Sequence, residues 1–475
     1  MAMGGAILCA NWRFPRSQIS LASRAMTSPA QPPPHHQPKR MLSTTAAAAV
    51  VMGMVIGAGI FRTPQMVAQS LGSESALMLA WALGGVFALI GALCYAELSA
   101  AFPDTGGDYR FLREAFGADA AWLFAWSRFA VIFSASGALL AFVGIDYLAE
   151  LVPMDTFTRA GVAGGMVIAL TALNLRGVQT GTRAQIAMVA MDVAALLALG
   201  GAALWLAYLG VSPQQTGAAV PAPISLAAFG QSMVFIMLAY GGFNDASTLS
   251  AEVRSPRDMT RALFGGMVLI TALYMIANWA YVRGLGMAGL AASEAPAAAL
   301  MARAFGPAGE TAIVICVAIA AFSVLNALII VGGRTLYTAA EDEPALASLA
   351  QWDQSRGVPR AAILVQTAVE LALIAWGAAS GRGFATMVDY LSPIYWLFLT
   401  MSGLAVVVLR RRQPHVERPY KVPLYPLLPL LFAAACAGVL YSSVIYVGWS
   451  GCLISFGMLA LGFVVRTALR LSAGR

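Results

Sequence analysis

Charge is scarce in this sequence. Only 11% of its 475 residues are Asp, Glu, Lys or Arg, where soluble domains carry roughly a quarter. That scarcity excludes a water-covered surface of ordinary extent. The three histidines, His35, His36 and His415, lie outside every long apolar stretch, so no histidine proton relay or histidine metal centre is expected at depth. The five cysteines, Cys9, Cys94, Cys316, Cys436 and Cys452, follow no zinc or disulfide spacing. Four of them fall within apolar runs, where a free thiol acts as a small hydrophobe. Alternation of the kind barrel strands show is missing, which excludes a membrane β-barrel. No nucleotide-binding motif is present, so the chain alone is no primary pump, and no strand precedes its glycine-rich run near residue 57 to make a dinucleotide fold. Neither a cofactor nor a metal is expected, and no nucleophile–base cluster marks an enzyme.

Apolar residues make up 59% of the chain. They gather into twelve candidate spans near 43–71, 76–101, 121–149, 160–175, 184–209, 226–251, 260–282, 310–338, 360–380, 383–409, 424–446 and 449–469. Runs of about 20 apolar residues cross the hydrocarbon of a bilayer, and helices satisfy their own backbone there. The expected fold class is therefore an all-α, polytopic membrane protein in contact with lipid. With twelve spans, 23 of the 29 Lys and Arg residues fall on the side that holds both termini. By the positive-inside rule that side is the cytoplasm, in what is expected to be the plasma membrane. The formal charge of +7 thus orients the protein, and no nucleic acid is expected as a partner. Residues 1–42 carry five basic residues, no acid and the stretch "PAQPPPHHQP". They read as a disordered cytoplasmic tail, a start placed too early, or a targeting segment.

Two spans are interrupted. In "VMGMVIGAGIFRTPQMV" (51–67), Gly57-Ala58-Gly59 breaks the first span; in "FIMLAYGGFNDASTLSAEVRSP", Gly241-Gly242 breaks the sixth. Gly53 and Gly57 could instead be a close-packing motif between helices. Paired interruptions five spans apart, however, point to a transporter built from two inverted repeats. The expected layout is a first five-helix repeat at 43–209, a second at 226–409 and two appended helices at 424–470. Broken backbone at membrane depth is tolerated where it lines a cavity. The half-helix after Gly59 offers N–H groups that suit a carboxylate, and the half-helix ending near Ile56 offers carbonyls that suit an ammonium. Such a pair suits a zwitterion, an α-amino acid.

The motifs resemble those of the amino acid–polyamine–organocation superfamily, and among its members bacterial relatives of the L-type amino acid permeases. The similarity runs over about residues 43–470. It rests on "IGAGIF" (56–61), "YAELSAAFPDTGGDYRFLREAFG" (95–117), "YGGFNDAS…AEVRSPRD" (240–258), "SVLNALIIVGGRTLYTAAEDE" (323–343) and "RRRQPHVERPYKVPLYPLLPLLF" (410–432). The resemblance implies secondary transport of amino acids by alternating access, of neutral ones with proton coupling or exchange. It implies that N–H groups of Ala58, Gly59 and Ile60 hold the substrate carboxylate. Carbonyls of Val55, Leu238 and Gly241 would hold its amino group, Phe243 and Asn244 would line the side-chain pocket, and Asn326 would lie nearby.

Three departures from that family stand out. Ala58 replaces a usual serine. Leu238 replaces an aromatic gate, which leaves occlusion weaker or passes it to a residue such as Tyr240. Asp192 stands seven residues after Gln185, where many relatives have a lysine. An acid at membrane depth is costly and functional by default, so Asp192 is the coupling candidate, for a proton or for sodium. The alternative is a fixed ion pair, with Arg128 as the suggested partner. Asp245 either caps the half-helix that follows the second break or faces the site. Glu97, Glu252, Arg254 and Arg334 lie near cytoplasmic ends and are expected to build the inner gate or anchor its loops, and Glu370 and Asp389 have no assigned role. The stretch "ELVPMDTFT" (150–158) lacks the cysteine by which some animal relatives join a heavy subunit, so no disulfide-linked partner is expected. A polyamine carrier and a transporter-like sensor without flux remain as alternatives.

Overall fold

The computed structural model describes residues 43–473, except 58, 104–105, 177, 214–224, 252, 344–345 and 382, and except the side chains at 46, 178–185, 249, 251 and 330. The tail 1–42, Ala58, Glu252 and the side chain of Gln185 therefore lie outside the described residues. Fourteen α-helices follow one another among those residues. They are α1 Thr44–Val55, α2 Gly59–Leu71, α3 Glu74–Ala101, α4 Asp108–Phe116, α5 Ala118–Ser127, α6 Ser134–Leu151 and α7 Thr156–Asn174. Next come α8 Val178–Tyr208, α9 Leu226–Ala239, α10 Pro256–Ala292, α11 Pro296–Glu341, α12 Arg360–Ala379, α13 Gly383–Arg412 and α14 Leu427–Ala473. No strand occurs among the described residues, so the all-α expectation holds.

Nine helices among the described residues are long and apolar enough to cross a membrane, and the bent pair α1–α2 makes ten. The chain is an integral, multi-pass membrane protein. The expected twelve segments fall differently from one another. The first is divided into α1 and α2, bent by 40°. The sixth is the short helix α9 followed by a 3₁₀ turn, Asp245–Ala251. The last two are one helical element, α14, broken at Gly448, whose φ of 73° closes a turn that a side chain would strain. In the third, α5 and α6 are joined by a wider π turn, Arg128–Phe133, which re-aims side chains along an otherwise continuous helix.

Helix starts follow local chemistry. Ser255 accepts a hydrogen bond from the Asp258 N–H at 3.2 Å and donates its hydroxyl to the Asp258 carboxylate at 2.7 Å, with Pro256 in the first turn of α10. Ser225 caps α9 by accepting from Ala228 N–H at 3.0 Å. Both satisfy amides that a helix start leaves open. Large apolar side chains remain exposed on outer faces, among them Leu204, Tyr441, Ile445 and Phe463, as a surface facing hydrocarbon requires. Inside, α1 packs among α8, α10 and α11, and α2 packs on α9 and α10. This arrangement sets the two interrupted spans side by side. Glycines permit the closest approaches, since a Cβ at Gly84 would lie 2.5 Å from Ile236 and one at Gly85 2.4 Å from Thr271.

Candidate functional site

The two breaks meet. Gly242 has a φ of 105°, and a Cβ there would lie 2.3 Å from the Met54 carbonyl oxygen. Only glycine fits a left-handed backbone pressed so closely on another chain segment. Gly59, at the start of α2, would place a Cβ 3.2 Å from Ala239 Cα, and Gly57 would place one 2.9 Å from Val324 of α11. The hydroxyl of Tyr274 in α10 lies 2.9 Å from the Val55 carbonyl and 3.1 Å from that of Ala239, so one side chain spans both breaks. The first amides of α2, at Gly59 and Ile60, have no helical carbonyl before them. Pro64 brings no N–H to the Ile60 carbonyl, and Tyr147 donates to the Phe61 carbonyl at 2.6 Å. The junction thus brings the first amides of α2 beside the carbonyls that end α1 and α9.

The residues expected from sequence divide into two groups. Val55, Gly59, Ile60, Leu238 and Gly241 gather at the junction of the breaks, where Leu238 O accepts from Gly241 N–H at 3.1 Å. Asn244 lies just beyond it, accepting at Oδ1 from Gly242 N–H at 3.3 Å and from the Tyr395 hydroxyl at 3.1 Å. Phe243 is turned into a T-shaped aromatic stack, 5.7 Å from Tyr95, with Phe432 at 6.4 Å on its other side. Asn326 accepts from Asn174 of α7 at 2.8 Å. Tyr240 is fully buried, packed on Trp81 and Tyr274 and donating to the Trp81 carbonyl at 3.2 Å. It belongs to the packing of α3 and α10 and does not close over the site.

The acids are placed differently from the sequence reading. Asp192 is fully buried with no hydrogen-bond partner at either oxygen among the described residues, and Arg128 is committed elsewhere. The suggested pair between them does not form. Asp245 does not cap the turn that it begins, because its Oδ1 accepts from Arg128 Nη2 at 2.5 Å and from Asn244 Nδ2 at 2.9 Å. Arg128 Nη1 is also 3.6 Å from Asp108 Oδ2, and Asp108 Oδ1 accepts from Tyr95 at 2.6 Å and Ser402 at 2.7 Å. Its guanidinium stands over the Phe133 ring, 4.2 Å from the centroid. These groups border a small cavity, about 260 Å³ of space including its open mouth, lined also by Phe124, Ile132 and Phe398. Sequence reading missed this cluster. The one available signal was Arg128 itself, a cation within an apolar span.

Glu97 is held by Arg410 at 2.6 and 2.5 Å, by Arg418 at 3.5 Å and by the Val422 N–H at 2.7 Å. It anchors the loop between α13 and α14, as expected of a residue at that end. Arg113 and Tyr109 of α4 both reach Asp342 at the end of α11, the former at 2.5 Å. On the opposite end Arg62 binds the Glu294 carbonyl and lies 3.9 Å from its carboxylate, and Gln69 donates to the Ala291 carbonyl at 2.7 Å. Ion pairs therefore close the molecule at both ends of the broken spans.

Comparison with known proteins agrees with this geometry. A family model described as amino acid permease matches residues 42–471. The b(0,+)-type amino acid transporter 1 of Mus musculus is 29% identical over 394 residues, 80% of this chain and 78% of that protein. The large neutral amino acids transporter small subunit 2 is 29% identical over 402 residues in Mus musculus, 81% of this chain and 73% of that protein. Its Homo sapiens counterpart is 28% identical over 397 residues, 81% and 72% of the two chains. These relatives are transporters and not enzymes. With most of its length matched by the family model, the chain belongs to the amino acid permease family.

Proposed function

We propose that this amino acid permease carries neutral amino acids by alternating access, binding each one at the junction of its two broken spans. The observation that supports this reading is the close approach of Gly242 to the Met54 carbonyl, which leaves no room for a side chain between the two breaks. The substrate carboxylate sits at the N–H groups of Ala58, Gly59 and Ile60. Its ammonium sits at the carbonyls of Val55, Leu238 and Gly241. Asn244 borders the side-chain pocket, while Phe243 supports it from behind and Asn326 acts through Asn174 in the scaffold.

Residues 43–209 and 226–409 are the two inverted repeats, 424–470 two appended helices, and the whole makes twelve spans in the plasma membrane. The basic side faces the cytoplasm, so Glu97, Arg410, Arg113 and Asp342 close the inner face, and Arg62 and Glu294 the outer one. One of the relatives is named as a small subunit. A heavy partner of this chain would have to associate without a disulfide in the loop 150–158, which has no cysteine. Asp192 is the coupling group: a fully buried acid with both oxygens unpartnered among the described residues accommodates a proton or a sodium ion.

Uptake of labelled amino acids into proteoliposomes tests this, under a proton gradient, a sodium gradient, internal amino acid, or none. Saturable uptake of neutral amino acids is expected, concentrative under the proton gradient and lost in Asp192→Asn. Uptake only against internal amino acid would make the protein an exchanger and leave Asp192 structural. Transport of amines that lack a carboxylate would favour the polyamine reading, and binding without flux would make the protein a sensor.

A further inference from the structure

The cluster beside the second break carries more negative charge than positive. Asp108 and Asp245 face one guanidinium, that of Arg128, with side-chain exposures of 2%, 11% and 2%. The other groups that act on the two acids are uncharged at neutral pH: Tyr95 from α3, Ser402 and Tyr395 from α13, and Asn244 from the break itself. The single guanidinium of Arg128 balances one acid. The second negative charge has no counter-charge, and a buried ion without one is not tolerated. Arg128 Nε has no hydrogen-bond partner, although its side chain lies against the cavity that the two acids share.

We propose that this cavity holds one exchangeable proton, shared between Asp108 and Asp245, and that movement of the break at 241–245 loads and releases it. A proton fits the space. The cavity admits about one water, and no backbone carbonyl is among the groups that bind the two acids. Asp245 follows directly on the break and is tied to it through Asn244, which accepts from Gly242 N–H and donates to the carboxylate. When the break shifts, Asp245 leaves Arg128. Arg128 and Asp108 then form a one-to-one pair, and Asp245 exchanges its proton with water at the mouth. This site is separate from Asp192 in α8. Only the link to movement rests on the amino acid transport reading; occupancy by a proton does not.

The full-length protein tests both parts. Its thermal unfolding in detergent is followed across about pH 5 to 9 in the wild type, Asp245→Asn, Asp108→Asn and Asp192→Asn. In the folded wild type the cluster holds one proton more than in the unfolded chain, so its contribution to stability falls as pH rises. Either Asn substitution in the cluster leaves one acid against one guanidinium and lowers the slope by the cluster's one proton, whereas Asp192→Asn leaves the cluster's share in place. In proteoliposomes, the KM for amino acid counterflow in the wild type rises by up to about tenfold per pH unit on the alkaline side, the limit for one linked proton. Asp245→Asn removes that dependence. Wild-type slopes kept in both cluster variants, or a flat wild-type profile, would overturn the proposal. The unfolding slopes behaving as expected with no counterflow of any amino acid would sink the transport reading and leave the proton site standing. A misfolded Asp245→Asn leaves Asp108→Asn to decide the matter.

Discussion

The junction of the breaks and the cluster beside it lie a few residues apart yet are built from different materials. The junction is backbone: amides at Gly59 and Ile60, carbonyls at Val55, Leu238 and Gly241, with one tyrosine hydroxyl across them. The cluster is side chain: one guanidinium, two carboxylates, two phenols, an amide and a hydroxyl. Backbone groups recognise what all α-amino acids share and leave the side-chain pocket to decide among them. Charged side chains instead respond to protons and to displacement, because each lost partner leaves an ion in a medium that solvates it poorly. On the proposed reading, binding and response are thereby kept on separate chemistry, joined at Asn244.

The largest effect comes from breaking the cluster. Arg128→Met leaves two carboxylates with no cation and should destabilise by about 3–5 kcal/mol, read as loss of folded protein or a large fall in the thermal midpoint. Restoring Arg128 recovers it; so, in part, should adding Asp108→Asn and Asp245→Asn to Arg128→Met, since no buried charge then remains. A wild-type midpoint for Arg128→Met alone would show that the acids need no cation. The junction is next. Gly242→Ala forces a side chain into a left-handed backbone, worth about 1–3 kcal/mol of strain, and drives it into the Met54 carbonyl. Uptake should be abolished. Gly72→Ala is the matched control, with φ of 59° and nothing within 4 Å of the added methyl: it should show the backbone strain and keep its transport kinetics.

Tyr274→Phe is milder, removing one hydroxyl from between the two breaks. About 1 kcal/mol is expected, with a severalfold change in KM while the protein still folds. An unchanged KM would mean that Tyr274 merely packs. The smallest effect is expected outside the spans, at Asp155 before α7. The Thr158 hydroxyl and nearby amides hold its carboxyl below its ordinary value. Its contribution is therefore present above the ordinary carboxylate range and is lost as pH falls through the lowered value. Asp155→Asn should remove only this acid-side slope from thermal unfolding and leave the slope attributed to the cluster intact.

Much of the junction was legible because its signals are local. A glycine pair inside an apolar run is visible in a short window, and so are the five family motifs. The cluster was not legible, since Arg128 and Asp245 are 117 residues apart and no periodicity links them. A fixed pair of Asp192 with Arg128 is an alternative that the sequence leaves open, each being an ion in an apolar span. Side-chain direction decided otherwise: the π turn at Arg128–Phe133 delivers the guanidinium to the second break. Asp245 looked like a helix cap because Asp at a helix start usually is one. A cation brought in from another span took the same oxygen. Phe243 and Asn326 sit on the elements expected, but a helix or turn can aim a side chain several ways, and packing against Tyr95 and Asn174 made the choice.

By itself the sequence determined the class of structure. So little charge and so many apolar runs leave the backbone no solvent but itself, which requires helices, and the paired glycines mark where those helices stop. Only the tertiary structure decided that the two stops touch, that Tyr274 bridges them, and which ions face each other. The reason is physical: a helix satisfies its hydrogen bonds within the segment that encodes it, whereas a buried charge is satisfied by whichever distant residue the packing brings to it.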